Sequence, residues 1–576
     1  MTASHTSADL LTALIRLRQE LGEARLDLDL PGADAQRSAR QEMVDQLEDY
    51  ILPRLVQVDA PLLAVVGGST GAGKSTLVNS LVGRPVTASG VLRPTTRSPV
   101  LVHNPADASW FQPDRILPDL ARTTSPSTDV GALHLVAVDS MPQGLAILDA
   151  PDVDSVDVHN RELAAQLLAA ADLWLFVTSA ARYADQVPWG FLKAAAERST
   201  AVAIVLDRTA PGAIAEVRSH LARMLTARGL KDSPLFTVPE APVDEYGMLP
   251  LDAVAVIRSW LGDLAVDATA RAQIIQQTLD GAIRQVAYRT YAIADAVTEQ
   301  DEVAERLRAD VDAAYTAAYD AVSDATGDGT LLRGEVLARW QEFVGAGDLA
   351  RSLEQQVGRL RDRLLGALRG QPQSVEQVTA AVEHGLHMLL LEHAETAAER
   401  AHESWNSTQA GRGLLDRAGG AGLGRASRDF RDQADRAVRD WQGDLLAMVR
   451  EEGADKRTTA RVLAYGVNGL GVALMVVVFS HTAGLTGGEV GIAGGTALLG
   501  QKILEAVFGD QAVRSLAQRA RQDLNRRAGQ LLGAERVRYL NVLEEAHPAT
   551  GGSGRIRDAA RAVDDLRHQA ARAVHS

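Results

Sequence analysis

Leu62–Gly83 reads LLAVVGGSTGAGKSTLVNSLVG, an apolar run that ends in glycines and passes at once into a helical pattern. Inside it, Gly68–Thr76 (GSTGAGKST) has the form Gly-x4-Gly-Lys-Ser. Glycines let successive backbone N–H groups wrap a phosphate, and the helix that follows adds the positive end of its dipole. Both the preceding strand and the following helix that this chemistry needs are written in the sequence. Lys74 is placed to reach the β and γ phosphates of a nucleoside triphosphate, and Ser75 to set its hydroxyl on Mg²⁺. Gly68, Ser69, Thr70, Gly71, Ala72, Gly73, Lys74, Ser75 and Thr76 are therefore the candidate nucleotide-binding residues of the loop.

On either side of this unit the pattern repeats. Apolar runs such as LAILDA, DLWLFV and AVAIVL alternate with helical stretches between Pro61 and Leu264, the rhythm of a parallel sheet covered by helices on both faces. Such a site needs an acidic residue at the end of a neighbouring strand to hold Mg²⁺, and Asp149, in LAILDAPD, ends one. Between loop and acid lies RPTTRSP, whose prolines forbid helix. A hydroxyl there, Thr95 or Thr96, is able to join the metal when the γ phosphate is present.

The chain has 576 residues, room for about three domains, or for two with a long helical connector. Aromatics make up 4% and cysteine is absent, so disulfides, thiolate catalysis and cysteine zinc sites are excluded, and long helices packed through small side chains are expected. A net charge of −15 argues against a general nucleic-acid binder, so an anionic ligand must be held locally. Met1 to Asp9 is polar and carries no targeting signal; Leu10, Leu14, Leu17 and Leu21 follow at helical spacing. After Val266 nearly every window is helical, as with Leu349, Leu353, Val357, Leu360 and Leu364. The glycine-rich Ala410–Gly424 reads as a loop or hinge interrupting these helices.

Val462–Ser480 (VLAYGVNGLGVALMVVVFS) runs without a charge for about 19 residues, a bilayer crossing by length. Small residues at four-residue spacing follow (Gly484, Gly488; Gly487, Gly491, Gly495), and Val490–Phe508 returns with Lys502 and Glu505. Lys456, Arg457 and Arg461 precede the pair and Arg514, Arg519 and Arg521 follow it, so both flanks favour the cytoplasmic side. The expectation is a hydrophobic membrane hairpin; the alternative is a glycine-rich hairpin buried in the protein or an oligomer.

The order of a phosphate loop, PTT in an early loop, DxP ending a strand, and a helical remainder with a late hydrophobic segment resembles the dynamin superfamily, specifically the bacterial dynamin-like GTPases of actinobacteria. The motif-level match covers about residues 60 to 212. It implies that Gly68, Gly73, Lys74, Ser75, Thr95 or Thr96, and Asp149 hold phosphate and magnesium, with Lys74, Thr96 and Asp149 as the catalytic set. It also implies GTP as substrate and Mg²⁺ as cofactor. Asp152 replaces the glycine of DxPG. Thr70 stands where eukaryotic dynamins carry a glutamine, and Val153 is apolar where Ras-like enzymes carry one, so no water-positioning group is evident. In the register of the base-reading motif, Asp207 takes the Asn or Thr place, Arg208 the Lys place, and Ala210 the place of the guanine-reading carboxylate.

The expected layout is 1–59 neck helices, 60–264 an α/β P-loop GTPase domain, 265–458 a helical trunk, 459–508 the membrane hairpin, and 509–576 helices returning to trunk and neck. The function expected is a GTPase of the cytoplasmic membrane, with its GTPase domain in the cytoplasm. It would couple hydrolysis and dimerisation, with itself or a related GTPase, to membrane remodelling. Two alternatives stand beside it: a slow nucleotide-responsive scaffold, and a ribosome-associated GTPase switch.

Overall fold

The structure is a computed structural model that describes residues 2–57, 59–88, 98–113, 115–125, 129, 131–155, 157–197, 200–332, 335–344, 372–419, 422–454, 466–480, 492–548 and 551–575. The chain divides into two compact units. The first contains residues 1–26, 32–299 and 550–576, the second 27–31 and 300–549.

At the heart of the first unit lies an eight-stranded sheet. Its strands are β1 (Leu62–Gly68), β2 (Val100–His103), β3 (Ala121–Thr123), β4 (Ala132–Ala137), β5 (Leu145–Asp149), β6 (Leu173–Ser179), β7 (Ala201–Thr209) and β8 (Leu235–Pro239), in the order β3-β4-β2-β5-β1-β6-β7-β8. All pairings are parallel except β2 with β5. The near-continuous apolar runs follow from this arrangement, because a strand covered on both faces buries every side chain. Leu63, Val65, Leu148, Trp174, Phe176 and Ile204 pack into one core. Leu62, Ala64, Val66, Ile147, Leu175 and Val205, one residue out of phase, pack into the other.

Leu10, Leu14, Leu17 and Leu21 all face inward from the helix Thr2–Glu23. They share a core with Ile556, Ala559, Ala560 and Val563 of the last helix, Gly552–His575. Beneath them Arg54 and Asp172, both buried, form an ion pair. Arg54 also donates to the carbonyls of Ala60 and Pro61 at 3.2 and 2.9 Å, and Asp172 accepts from Leu63 N at 2.8 Å and from the Tyr50 hydroxyl at 3.1 Å. A buried pair so fully hydrogen-bonded fixes geometry more than it adds stability.

The second unit is helical. Its core is set by large aromatics whose polar edges are satisfied: Trp405 donates to Leu307 O at 3.0 Å, Trp441 to Ala520 O at 2.8 Å, and the Tyr539 hydroxyl lies 2.8 Å from Leu423 O. Here two readings of the sequence are corrected. Ala410–Gly424 is not simply a loop, since Gln409–Ala418 is a helix capped by Thr408, whose hydroxyl accepts from Gly411 N at 3.0 Å. Its glycines serve close approach: a Cβ on Gly411 would stand 2.1 Å from Trp405 O, and one on Gly413 2.5 Å from an Asp29 oxygen.

The second correction concerns the membrane hairpin. The charge-free stretch forms the helix Val467–Phe479, whose 13 residues span about 20 Å against a hydrocarbon thickness of about 30 Å. Every residue from Leu470 to Phe479 is buried inside this unit, with Phe479 against Trp441 at 5.7 Å between ring centres. Gly471 lets Leu446 approach, and Gly500 of the returning helix Ile492–Phe508 lets Trp340 approach. The basic flank is engaged as well. Arg521 donates to Val478 O at 2.5 Å, Arg519 reaches Glu452 at 3.4 Å, and Arg514 pairs with Asp510. No helix among the described residues is long and apolar enough to cross a membrane. Residues 345–371, which include Leu349 to Leu364, and the flanks at 455–465 and 481–491 lie outside the described residues.

Candidate functional site

Parallel pairing brings the carboxyl ends of β5, β1, β6 and β7 to one edge of the sheet, where ligands of open α/β sheets bind. Val66 is level with Asp149, Gly68 with Val177, and Ser179 with Asp207. Gly68 (φ 149°) passes so close to β6 that a Cβ there would stand 2.0 Å from Val177 O. Gly73 (φ 95°) starts the helix Lys74–Val82 and would thrust a Cβ to 2.1 Å from Asp207 Oδ2. Only glycine fits either place.

Lys74 is buried. Its ammonium donates to Gly68 O at 3.1 Å and Ser69 O at 3.2 Å, and it forms an ion pair with Asp152. Ser75 Oγ donates to Asp149 Oδ2 at 2.7 Å, and the same oxygen accepts from Thr87 Oγ1 at 2.8 Å. Asp149 is fully buried; desolvation raises its carboxyl above the ordinary carboxylate range, while Ser75, Thr87 and Lys74 pull the other way. Its second oxygen, Oδ1, and the buried Ser69 hydroxyl have no hydrogen-bond partner among the described residues. Orphaned buried oxygens at the mouth of a phosphate loop are what a bound cation and phosphate would satisfy. The hydroxyl of Ser75 and carboxylate of Asp149 are the hard donors Mg²⁺ takes, so these residues fit that ion.

A second group of charges stands beside the loop. Asp154 Oδ1 accepts from Thr70 N at 2.6 Å and Thr70 Oγ1 at 2.7 Å. Its Oδ2 accepts from Arg182 Nη1 at 2.7 Å, and Arg182 also donates to Thr70 O at 3.1 Å. Burial would raise the Asp154 carboxyl, but the Thr70 hydrogen bonds and the Arg182 charge hold it below its usual range. The stretch DAPDVD thus lays two carboxylates along the loop, one on Lys74 and one on Thr70 and Arg182.

At the β7 end, burial pushes the Asp207 carboxyl up to about 6, against the opposing Arg208 amide and guanidinium. Arg208 is left-handed (φ 51°), and its amide donates to Asp207 Oδ1 at 2.8 Å. Ala210 is exposed and brings no carboxylate.

Of the residues singled out from sequence, Gly68 through Thr76, Asp149, Asp207 and Arg208 gather at this edge. Thr95 and Thr96 lie outside the described residues. Sequence reasoning missed Thr87, Asp154, Arg182 and Asn79. Asn79 pins the turn carrying Thr87, accepting from Val86 N and Thr87 N at 2.8 and 3.0 Å and donating to Thr87 O at 2.9 Å. The one available signal was the third acid in DAPDVD, Asp154, two residues after Asp152.

No family model and no curated protein matches this chain. Among solved structures, it is similar to two chains from work on an oligomerised bacterial dynamin pair described as a mechanism for long-range sensing and tethering of membranes. The first match has a TM-score of 0.41 at 8% identity, over 97% of this chain and 94% of that one. The second has 0.29 at 13%, over 98% and 83%. LeoA, a bacterial dynamin GTPase from ETEC, matches at 0.23 and 14% identity, over 94% and 99%. These are bacterial dynamins, the family that the motifs resemble.

Proposed function

We propose that this protein is a Mg²⁺-dependent nucleoside triphosphatase of dynamin type, with GTP as substrate. The observation that carries the reading is the contact of Ser75 with Asp149 beside a buried Lys74, on a loop that only glycines allow. Bound there, Mg²⁺ would offset the phosphate charge. Ser75 and Asp149 would hold it, the loop amides and Lys74 would take the phosphates, and Arg208 would cover the base. Its Nε stands 3.8 Å from the place of a Gly73 Cβ, so its stem runs from the base end toward the loop. GTP over ATP is the narrower part of this proposal and rests on the motif-level resemblance, since Ala210 supplies no guanine-reading group.

The proposal extends to action on membranes by nucleotide-driven assembly, of this chain with itself or a related GTPase. It is supported by the resemblance in motif order and helical remainder rather than by a spanning helix. One experiment tests all parts: GTP and ATP turnover by the purified full chain, across a protein concentration series, with and without anionic liposomes. GTP turnover that rises with concentration and lipid is expected. A flat rate would return the reading to a monomeric switch, and ATP preference would overturn the base assignment.

The ion pair of Lys74 with Asp152 favours a second reading, a slow nucleotide-responsive scaffold, because a carboxylate competes for the ammonium the phosphates need. Saturable nucleotide binding without turnover in the same experiment would select it.

A further inference from the structure

Arg182 stands in a turn whose backbone is tied down. Its amide and that of Tyr183 donate to Ser179 O at 3.0 and 2.9 Å, and Asp185 N returns to Arg182 O at 3.1 Å. The turn leaves the end of β6, the strand that flanks β1 on the side of Gly68. A short tether thus places a guanidinium at the rim of the phosphate loop. The side chain is 41% exposed, so it borders solvent rather than packed core, and its guanidinium is committed to Asp154 and to Thr70 O. Asp185 lies 3.5 Å from its Nε and adds a weaker hold. The carboxylate of Asp154, gripping the amide and hydroxyl of Thr70 and the Arg182 guanidinium together, occupies donors that a phosphate oxygen also seeks.

Resting on the nucleotide reading above, we propose that Arg182 is a catalytic residue, an arginine supplied by the same chain to the phosphoryl group in transfer. The incoming phosphate displaces Asp154 from Thr70, and the released guanidinium turns onto the phosphate oxygens. In the step itself, the oxygen of water bonds to the γ phosphorus as the bond from that phosphorus to the bridging oxygen breaks. The electron pair leaves with the diphosphate, and the proton of the water passes to the released phosphate and solvent. Arg182 contributes charge and exchanges no proton. Arginines so placed accelerate transfer by about a thousandfold or more.

The test uses the full chain with Arg182→Ala, Arg182→Gln and Arg182→Lys, a fluorescent GDP, Mg²⁺, and aluminium fluoride as a mimic of the transferring phosphoryl group. Thermal unfolding first identifies which variants keep the fold, and Arg182→Gln serves if the alanine variant does not. Expected are unchanged GDP affinity, kcat lowered about a thousandfold with KM little moved, partial recovery in the lysine variant, and a gain in affinity with aluminium fluoride for the wild type alone. A variant that turns over normally, or gains from aluminium fluoride as the wild type does, overturns the role of Arg182 and leaves the nucleotide reading standing. Wild-type protein that binds GDP without any aluminium fluoride gain also overturns it. Absence of GDP binding by every protein overturns the nucleotide reading itself and this inference with it.

Discussion

The helices Lys74–Val82 and Val467–Phe479 both begin after a glycine of positive φ, Gly73 at 95° and Gly466 at 75°, and both are buried on nearly every side. In the first, burial includes Lys74, Asn79 and Ser80, and each polar group has a named partner: Asp152 for Lys74, the Thr87 backbone for Asn79, Thr76 O and Leu249 N for Ser80. In the second, the residues from Gly469 to Phe479 are all glycine or apolar, and all are buried. Burial alone therefore does not distinguish a ligand site from a core. What distinguishes them is how many polar groups were kept inside, and whether the neighbours can release them to something else.

This comparison can be broken at either helix. The largest effect is expected at Lys74→Ala, where GTP turnover should fall by about a thousandfold. Steady-state hydrolysis at the wild-type rate would remove Lys74 from the site. In the apolar helix, Leu474→Asp would bury a carboxylate with nothing to pair it, at a cost of about 4 kcal/mol or more. Denaturant unfolding of the purified chain reads this directly. An unchanged midpoint would mean that Leu474 faces something other than a packed core.

An intermediate case sharpens the contrast. Asp49, in the helical stretch Leu47–Ile51, is buried; Gln166 donates to its Oδ2 at 2.8 Å, while its Oδ1 has no partner among the described residues. Desolvation pushes its carboxyl up to about 7. An acid whose folded pKa is raised stabilises the fold as the neutral form. That contribution is complete below the unfolded value of 3.8 and is lost as pH rises through about 7. Asp49→Asn, which keeps the acceptor for Gln166, should therefore stabilise the protein by up to about 4 kcal/mol at pH 8, with the gain vanishing toward pH 4. Urea midpoints at the two pH values check it, and equal gains at both would show that charge is not the cause.

The smallest effect is the most specific to the site. Asp152→Asn frees Lys74 from a competing carboxylate, and affinity for Mg²⁺·GDP should tighten by roughly tenfold, about 1.4 kcal/mol. Calorimetric titration that returns an unchanged Kd would show that the ion pair yields to phosphate without cost.

The loop was legible because its chemistry is local: glycine positions, lysine and serine spacing, and a flanking strand and helix are all contiguous in sequence. Asp149 was legible for the same reason once a partner strand was sought. The Arg182, Asp154 and Thr70 group was not, since it joins three segments whose nearness depends on β1, β5 and β6 lying side by side. Val467–Phe479 was misread because hydropathy measures what a helix avoids and is silent about what it touches. Lipid and the Leu446 and Trp441 side chains packed against it are equally apolar. Arg519 and Arg521 deepened the error, since their partners, Glu452 and the carbonyl of Val478, are visible only in three dimensions, whereas the Asp510 partner of Arg514 stands four residues before it on the same helix.

Gly73 and Asp207 are separated by more than a hundred residues, yet no methyl group fits between them. For an engineer or for natural drift, the two positions are one locus. A side chain at 73 must push the β7 turn aside, and a longer acid at 207 would press on the phosphate loop instead. Redesign of base preference at Asp207, Arg208 and Ala210 therefore begins with libraries that hold 73 as glycine and 207 short. Substitutions at 210, which is exposed, are the degree of freedom that this crowding leaves open.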